Sequence, residues 1–338
     1  MRSITIAGGG LAGLSVGIAL RERGIPVEIH EAGSYPRHRV CGEFISGLSG
    51  ETIDTLDLKE PLSDCLRHSS TAWFLNGRKI LSGTLPEPAL AVSRYTLDLR
   101  LAERFTSSGG VLHERSRVRE GNDEGIVWAA GRNSERESRW VGLKAHFRNM
   151  PLSHGLEMHL GDGSYVGVTP VEDGRVNVCG LFKNLPGLKV RGAERLVETI
   201  RRSGMSRLVD RLDEATADED SFSGVSAIRF GEQSSASDRC SLGDAHSMIP
   251  PFTGNGMTMA FQAAESALPF LTEYASGDRS WESTCDAVNK SQRERFRRRL
   301  HWSRLLHPAL SSRAGQQAIA MISRARLLPF QQLYRAVR

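Results

Sequence analysis

The apolar positions along this chain change period several times, and each change marks an element. Ile4 to Ala7 is a short apolar run closed by Gly8-Gly9-Gly10, and Leu11 to Arg21 then reads as a helix. A second run, Pro26 to His30, predicts a strand, so residues 1–60 open as a βαβ unit. Thr71 to Leu75 and Lys79 to Leu81 flank Asn76-Gly77, a dipeptide that favours a tight hairpin within residues 68–92. Leu97 to Ser107 has an amphipathic helical pattern, and Val111 to Val118 reads as a strand. Strands are predicted at Trp140–Phe147, Leu156–Leu160, Ser164–Val168 and Val176–Phe182, with turns at Gly161-Asp162-Gly163 and Glu172-Asp173-Gly174. Residues 194–214 are helical.

Gly8, Gly10 and Gly13 have the spacing G-x-G-x-x-G between the first strand and the first helix, whose opening turn holds Leu11 and Ala12. Glycine lets backbone approach a pyrophosphate closely, and the helix that follows turns its positive N-terminus toward the phosphates. Glu31, with Ala32 after it, ends the second strand about 20 residues beyond the glycines. An acidic side chain there accepts hydrogen bonds from ribose hydroxyls and repels a 2′-phosphate. The arrangement predicts a dinucleotide site; the plain alternative is a Gly-rich turn with a solvated Glu31.

Composition bounds the rest. A chain of 338 residues, 39% hydrophobic and 25% charged, has the balance of a globular protein with room for two domains. The uncharged run Ile4 to Leu20 is too short to span a membrane comfortably, is interrupted by glycines, and lacks a cleavage site after it. Five cysteines (Cys41, Cys65, Cys179, Cys240, Cys285) are scattered, and no C-x-x-C pair or His/Cys cluster in the sequence points to a metal. A reducing cytoplasm is the expected setting. The net charge of +5 concentrates at residues 289–304, a basic helix with Phe296, Leu300 and Leu305 near helical spacing. Two readings of that helix stay open: a solvated face, or peripheral contact with an anionic membrane surface. Nucleic-acid binding finds no support, since no stacking aromatics are interleaved with the basic residues.

A later stretch, Leu242-Gly243-Asp244-Ala245-His246-Ser247-Met248-Ile249-Pro250-Pro251-Phe252-Thr253-Gly254-Asn255-Gly256-Met257, lines up without a gap on the pattern G-D-A-A-H-x-x-P-P-x-x-x-x-G, with His246 and Ser247 in the places of its second Ala and its His. With it the chain resembles the flavoprotein superfamily of aromatic hydroxylases and geranylgeranyl reductases. The resemblance implies FAD, with Asp244 on the ribityl chain and the amides of Gly256 and Met257 at the flavin pyrimidine edge, next to the Gly243 and Gly254 turns. A helix N-terminus at that edge stabilises the reduced flavin. Val92-Ser93-Arg94-Tyr95-Thr96-Leu97-Asp98 resembles the family's S-R-x-x-L-D element, which implies Arg94 near the phosphates and Val118 against adenine. Ile126 to Arg132 resembles its short strand and A-x-G turn, with Ala130 and Gly131 under the adenosine half. Arg37-His38-Arg39-Val40-Cys41-Gly42-Glu43-Phe44 resembles the K/R-x-C-G-E element of the geranylgeranyl-reductase and FixC-like branch. By that likeness Arg39, Val40 and Cys41 border the flavin, Gly42 lets backbone pass close to it, and Cys41 and Glu43 are candidate catalytic groups. The bland reading makes Cys41 a small buried residue and Glu43 a partner for backbone. His246, two residues past Asp244, is a third catalytic candidate, suited to proton exchange near neutral pH. The similarity covers about half the chain.

The expected fold is α/β. A doubly wound FAD-binding domain of glutathione-reductase type (residues 1–67, 90–139 and 225–275) is interleaved with an antiparallel substrate-binding sheet (68–89 and 140–224). A C-terminal helical segment (276–338) follows. Lys144 and His146 share one face of a strand and, with Tyr165, are candidate substrate contacts; the plain alternative puts the pair on a partly exposed strand in a structural role. Tyr165 belongs to a Tyr165-Val166-Gly167-Val168-Thr169-Pro170 stretch that resembles the reductases' Y-x-W-x-F-P element. Gly167 and Thr169 replace its Trp and Phe, a departure that weakens the case for a prenyl chain. Trp128 to Ser138 contains no Asp-Gly element for a pyridine nucleotide, so NAD(P)H as donor stays open, and the halogenase W-x-W-x-I-P motif is absent. The expected function is flavin hydride transfer on a hydrophobic small molecule: a polyketide, a phenolic lipid or an isoprenoid of secondary metabolism. Aromatic hydroxylation by a flavin monooxygenase is the alternative, and a flavin-binding protein without turnover is the third.

Overall fold

A computed structural model of the chain describes residues 1–119, 121, 123–132, 135, 138–183, 187–233 and 239–338; part of the Trp128–Ser138 stretch lies outside the described residues. β1 (Ile4–Ala7), α1 (Leu11–Arg21) and β2 (Val27–His30) form the expected βαβ opening. α1 is apolar nearly all round because it is buried between α-helical neighbours rather than laid on a surface. β3 (Phe44–Ile45) and α2 (Gly50–Thr55), both too short to show a period, come next. The hairpin is longer than its predicted core. β4 (Leu66–Leu75) and β5 (Arg78–Ala91) meet at Asn76 (φ 51°) and Gly77 (φ 70°), both left-handed as a two-residue hairpin turn demands.

α3 (Arg94–Ser107) starts at Arg94 rather than Leu97, because the Ser93 hydroxyl caps it by accepting from the Thr96 amide at 3.1 Å. β6 (Val111–His113) ends well before Val118. Arg115 takes a left-handed φ of 52° and turns the chain, so that the Arg115 and Ser116 amides donate to the Gly33 and Glu31 carbonyls at 2.8 and 2.9 Å. β7 (Ile126–Trp128) stands where the motif put it. β8 (Trp140–Arg148), β9 (Leu156–Gly161), β10 (Ser164–Pro170) and β11 (Val176–Lys183) match the four predicted strands closely. The 194–214 segment is two helices, α4 (Gly192–Arg202) and α5 (Ser206–Glu214), broken near Gly204 at φ 79°. β12 (Thr216–Val225), β13 (Gly231–Glu232), β14 (Cys240–Ser241) and β15 (Ser247–Met248) precede α6 (Gly256–Ser276), α7 (Trp281–Leu310), α8 (Arg313–Arg324) and α9 (Phe330–Ala336).

The five-stranded sheet runs β14-β7-β1-β2-β6, all parallel. Counting its strands along the chain and reading from β6, the order is 3-2-1-4-5, so the direction of winding reverses between β1 and β7. α1 packs against α3 and α6, and α7 lies on β14. The eight-stranded sheet runs β12-β8-β11-β10-β9-β4-β5-β3. It is mixed, which corrects the expectation of an antiparallel sheet: β4 and β9 pair in parallel, from Thr71 with Leu156 to Leu75 with Leu160. The chain passes through α3, β6 and β7 between the hairpin and β8, so no tight turn forces β9 to oppose β4.

Alternation divides the faces of this sheet. Val166 and Val168 pack under α4 and α5 with Leu196, Ile200 and Leu208, whereas Tyr165 and Leu181 face the other way, toward Leu310 and Ala320 of α7 and α8. The basic run of α7 is also docked. Phe296 is buried against Ile249, Met259 and Ala263, Arg295 pairs with Glu265 at 2.5 Å, and Arg299 donates to Gln262 at 2.8 Å. Leu305 is 57% exposed, contrary to the spacing expected, because nine residues from Phe296 is two and a half helical turns and the opposite face. No helix among the described residues is long and apolar enough to cross a membrane.

Candidate functional site

A cavity of about 1350 Å³ opens between the carboxyl ends of β1 and β7 and the inward face of the mixed sheet. That is the switch point at which open α/β sheets take ligands. It exceeds the roughly 300–1,000 Å³ of a pocket for one small ligand, so more than one molecule fits.

One half of the cavity is polar and built on glycine. Gly8 has φ +115°, and a side chain there would strike the Ala129 carbonyl at 2.3 Å, so the ends of β1 and β7 could not close up. Gly13 does not line the cavity; a Cβ on it would meet the Gly8 carbonyl at 2.1 Å, so it lets α1 tuck beneath the turn. Gly10, Gly42, Gly131 and Gly256 line the cavity, and nothing lies within 4 Å of where their side chains would project. They make a bare backbone wall. Leu11, Ala12, Ala32, Val40, Val118 and Ala130 also line it.

Two helices begin at this wall without a side-chain cap. The first bond within α1 runs from the Leu14 amide to Gly10, and the first within α6 from the Met259 amide to Asn255. The preceding amides, those of Leu11 and Ala12 and of Gly256 and Met257 among them, have no partner within their helix. By contrast Ser49, Ser93, Ser280 and Ser312 cap α2, α3, α7 and α8. Asn255 makes no cap: its Nδ2 donates to the Val337 carbonyl, and its Oδ1 accepts no amide of the helix.

A chain of alternating charges borders the glycine wall. The Glu31 carboxylate accepts from the Gly9 and Gly33 amides at 2.9 Å each and from Arg37 at 2.7 Å, with Arg39 at 3.5 Å. Burial works against that charge, but the Gly33 amide, Arg39, Arg37 and the Gly9 amide together hold its pKa below the usual carboxylate range. Arg39 reaches on to Asp98 at 3.0 Å, and Arg94 grips Asp98 with two bonds of 2.6 and 2.8 Å. Asp244 projects into the cavity from the turn at Gly243 (φ +61°), and Gly254 (φ +62°) turns the chain toward α6. Burial raises the Asp244 pKa, opposed by Arg94, Arg132 and Arg39. Around the cavity Arg37, Arg39, Arg94 and Arg132 outnumber Glu31, Asp98 and Asp244, a surplus that suits an anionic ligand.

The 37–44 loop brings Cys41 to the cavity and Glu43 behind it. Burial raises the Cys41 thiol pKa, against the pull of Arg94. Glu43, at a left-handed φ of 53°, is fully buried. It accepts from His146 Nε2 at 2.6 Å and from the Arg94 amide at 3.0 Å, with Lys144 Nζ at 3.3 Å. Burial opposes its charge, and His146, Lys144 and the Arg94 amide together lower its pKa. Lys144 and His146 therefore hold Glu43 rather than a substrate: both are fully buried and neither lines the cavity. His38, to which the motif assigned no role, does line it. Its ring stacks on Tyr95 with centroids 4.5 Å apart, and its Nδ1 accepts from Lys144 Nζ at 3.3 Å. Burial, then Lys144 and His146, push the His38 pKa down to about 4.

His246 is also misplaced by the sequence reading. It lies off the cavity, buried, with burial lowering its pKa and Glu232 and Arg293 as its charged neighbours. Its backbone carbonyl accepts from the Gln233 amide at 2.9 Å, pairing this turn with the strand at Gly231–Glu232.

The other half of the cavity is apolar. Tyr165, Trp73, Met158 and Leu181 come from the mixed sheet, and Leu310 and Ile319 from α7 and α8. Tyr165 is thus the one substrate candidate that reaches the cavity. His38 and Arg132 were findable by adjacency to motifs, whereas Leu310 and Ile319 carry no motif that links them to a site.

No protein-family model and no curated protein matches the chain. Solved structures do. PqsL of Pseudomonas aeruginosa in complex with 2-aminobenzoylacetate is 14% identical with TM-score 0.72, over 94% of this chain and 98% of that one. A geranylgeranyl bacteriochlorophyll reductase-like protein of Thermoplasma acidophilum is 16% identical with TM-score 0.75, over 99% and 95%. HpxO of Klebsiella pneumoniae, complexed with FAD and uric acid, is 14% identical with TM-score 0.74, over 99% and 97%. The chain has the fold of FAD-dependent monooxygenases and their reductase-like relatives. Within that fold class it is similar to both branches.

Proposed function

We propose that the protein is an FAD-dependent oxidoreductase that acts on an apolar small molecule by flavin hydride transfer. The observation that carries this reading is the divided cavity: a backbone wall of glycines with two uncapped helix starts on one side, and an apolar chamber on the other. The wall fits FAD. Gly10 and the α1 amides suit a pyrophosphate, Glu31 a ribose and Asp244 the ribityl hydroxyls. Gly256 and Met257 suit the pyrimidine edge, which gains negative charge on reduction. Bound there, the flavin supplies hydride transfer. The protein's own part is to orient both molecules and exclude water. His38 is one proton-bearing group at the cavity: with Nδ1 engaged by Lys144, its Nε2–H faces outward from that bond as a donor.

The chamber, lined by Trp73, Met158, Tyr165 and Leu181, supports a polyketide, phenolic lipid or isoprenoid as substrate. Oxygen insertion is the second reading, favoured by the likeness in fold to PqsL, described as a probable FAD-dependent monooxygenase. Purified protein should be yellow and release FAD, not FMN, on denaturation. Release of FMN alone, or no flavin after reconstitution, overturns the assignment. Oxygen uptake coupled to product hydroxylation decides for the second reading over the first.

A further inference from the structure

We propose that the outer ends of β2 and β6 carry a zinc site made by Glu28, His30 and His113. Glu28 and His30 alternate along β2 and so share a face, and parallel pairing sets His113 of β6 directly beside His30. The two imidazoles stack with centroids 4.5 Å apart and planes 23° from parallel. Glu28 reaches both, with Oε1 at 3.7 Å from His30 Nε2 and Oε2 at 3.6 Å from His113 Nε2. One ligand atom from each of the three residues falls within 4.8 Å of the other two. A zinc ion about 2.0–2.2 Å from each donor holds tetrahedral ligands roughly 3.4 Å apart, so small rotations close the set.

Two further contacts orient these donors. His30 Nδ1 lies 2.8 Å from Ser116 Oγ; donating there, the ring keeps the Nε2 lone pair turned toward Glu28. Thr5 Oγ1 donates to Glu28 Oε1 at 2.8 Å and fixes the carboxylate. Outer partners of this kind characterise built metal sites. Two imidazoles with one carboxylate form a borderline donor set that suits zinc. The side chains are 21%, 44% and 43% exposed for His30, Glu28 and His113, so an ion can enter and a water can complete the tetrahedron. The three residues are dispersed over two strands, which is why no spacing in the sequence reveals them. His30 and Ser116 also line the rim of the cavity, so the ion would clamp β2 to β6 where the adenosine half is proposed to sit.

The test titrates zinc into tag-free, flavin-loaded protein after stripping with a chelator, using calorimetry and competition with a chromogenic chelator. Wild type should bind one zinc per chain and gain thermal stability. His113→Ala should lose that equivalent, Ser116→Ala should bind roughly tenfold or more weakly, and His301→Ala, an exposed histidine on α7, should match wild type. Retained FAD in each variant reports an intact fold. No saturable binding by wild type, or an equivalent that survives His113→Ala, overturns the proposal.

Discussion

Glu31 is held by two amides and two arginines, so its removal does more than delete a ribose contact. Glu31→Ala should weaken FAD by roughly 1.5–3 kcal/mol per lost charge-assisted bond and deprive Arg37 of the carboxylate it pairs with. A flavin-fluorescence titration checks this, and unchanged affinity would move the ribose contact elsewhere. His146→Ala tests a different role. It strips a partner from Glu43, whose side chain is fully buried, so stability should fall by about 3–5 kcal/mol. Chemical denaturation of the flavin-free protein measures it, and a loss of flavin affinity without a loss of stability would contradict the assignment. Gly42→Val places a branched side chain in the open wall. Flavin occupancy should collapse while Cys41→Ser keeps the cofactor and shifts its absorbance; full occupancy with an unshifted spectrum in both would remove this loop from the flavin.

Elements were legible where pattern and turn chemistry agreed. The glycine turn after β1, the Asn76-Gly77 hairpin and the four strands of 140–183 needed only local information. β12 escaped because its first residues, Thr216 to Asp220, are mostly polar on a strand that, among the described residues, pairs on one side alone, with β8. Val118 looked like strand, but Arg115 turned the chain away to the Gly33 carbonyl, a contact across the fold. The polar half of the candidate site carried motifs, since backbone approach demands glycine. The surroundings of Lys144, His146 and His246 were not legible, because a face of a strand or a place in a loop does not say what lies opposite. α7 illustrates what such an element brings. Its His307 sits among Trp140, Tyr165, Phe230 and Phe252, with ring centroids 4.8 to 6.1 Å away. Burial, then Lys183, lowers its pKa from 6.5 to about 4. Because the unfolded chain binds this proton more readily, stability is fully present above about pH 6.5 and is lost as pH falls toward 4. In His307→Phe the urea midpoint should fall less across that window. An identical fall in both proteins would mean that other groups carry the effect.

At the scale of the whole molecule, α1 and α6 start from different ends of the chain and point unpaired amides into one space. If FAD takes up those amides, it binds the folded chain alone and stabilises it by mass action, about 2.7 kcal/mol at a hundredfold excess over Kd. The flavin-loaded protein should therefore melt well above the stripped protein, and Asp244→Ala should narrow the gap. Equal melting temperatures would separate the cavity from the cofactor.

Those two bare helix starts make the ligand a missing piece of secondary structure. If FAD does bind there, a newly synthesised chain, with Gly10 and Asn255 making no cap of their own, would wait for a vitamin-derived molecule to finish both helices. Cellular abundance of the protein should then follow riboflavin supply, with protease cutting near Gly10 and Gly256 when the vitamin is scarce.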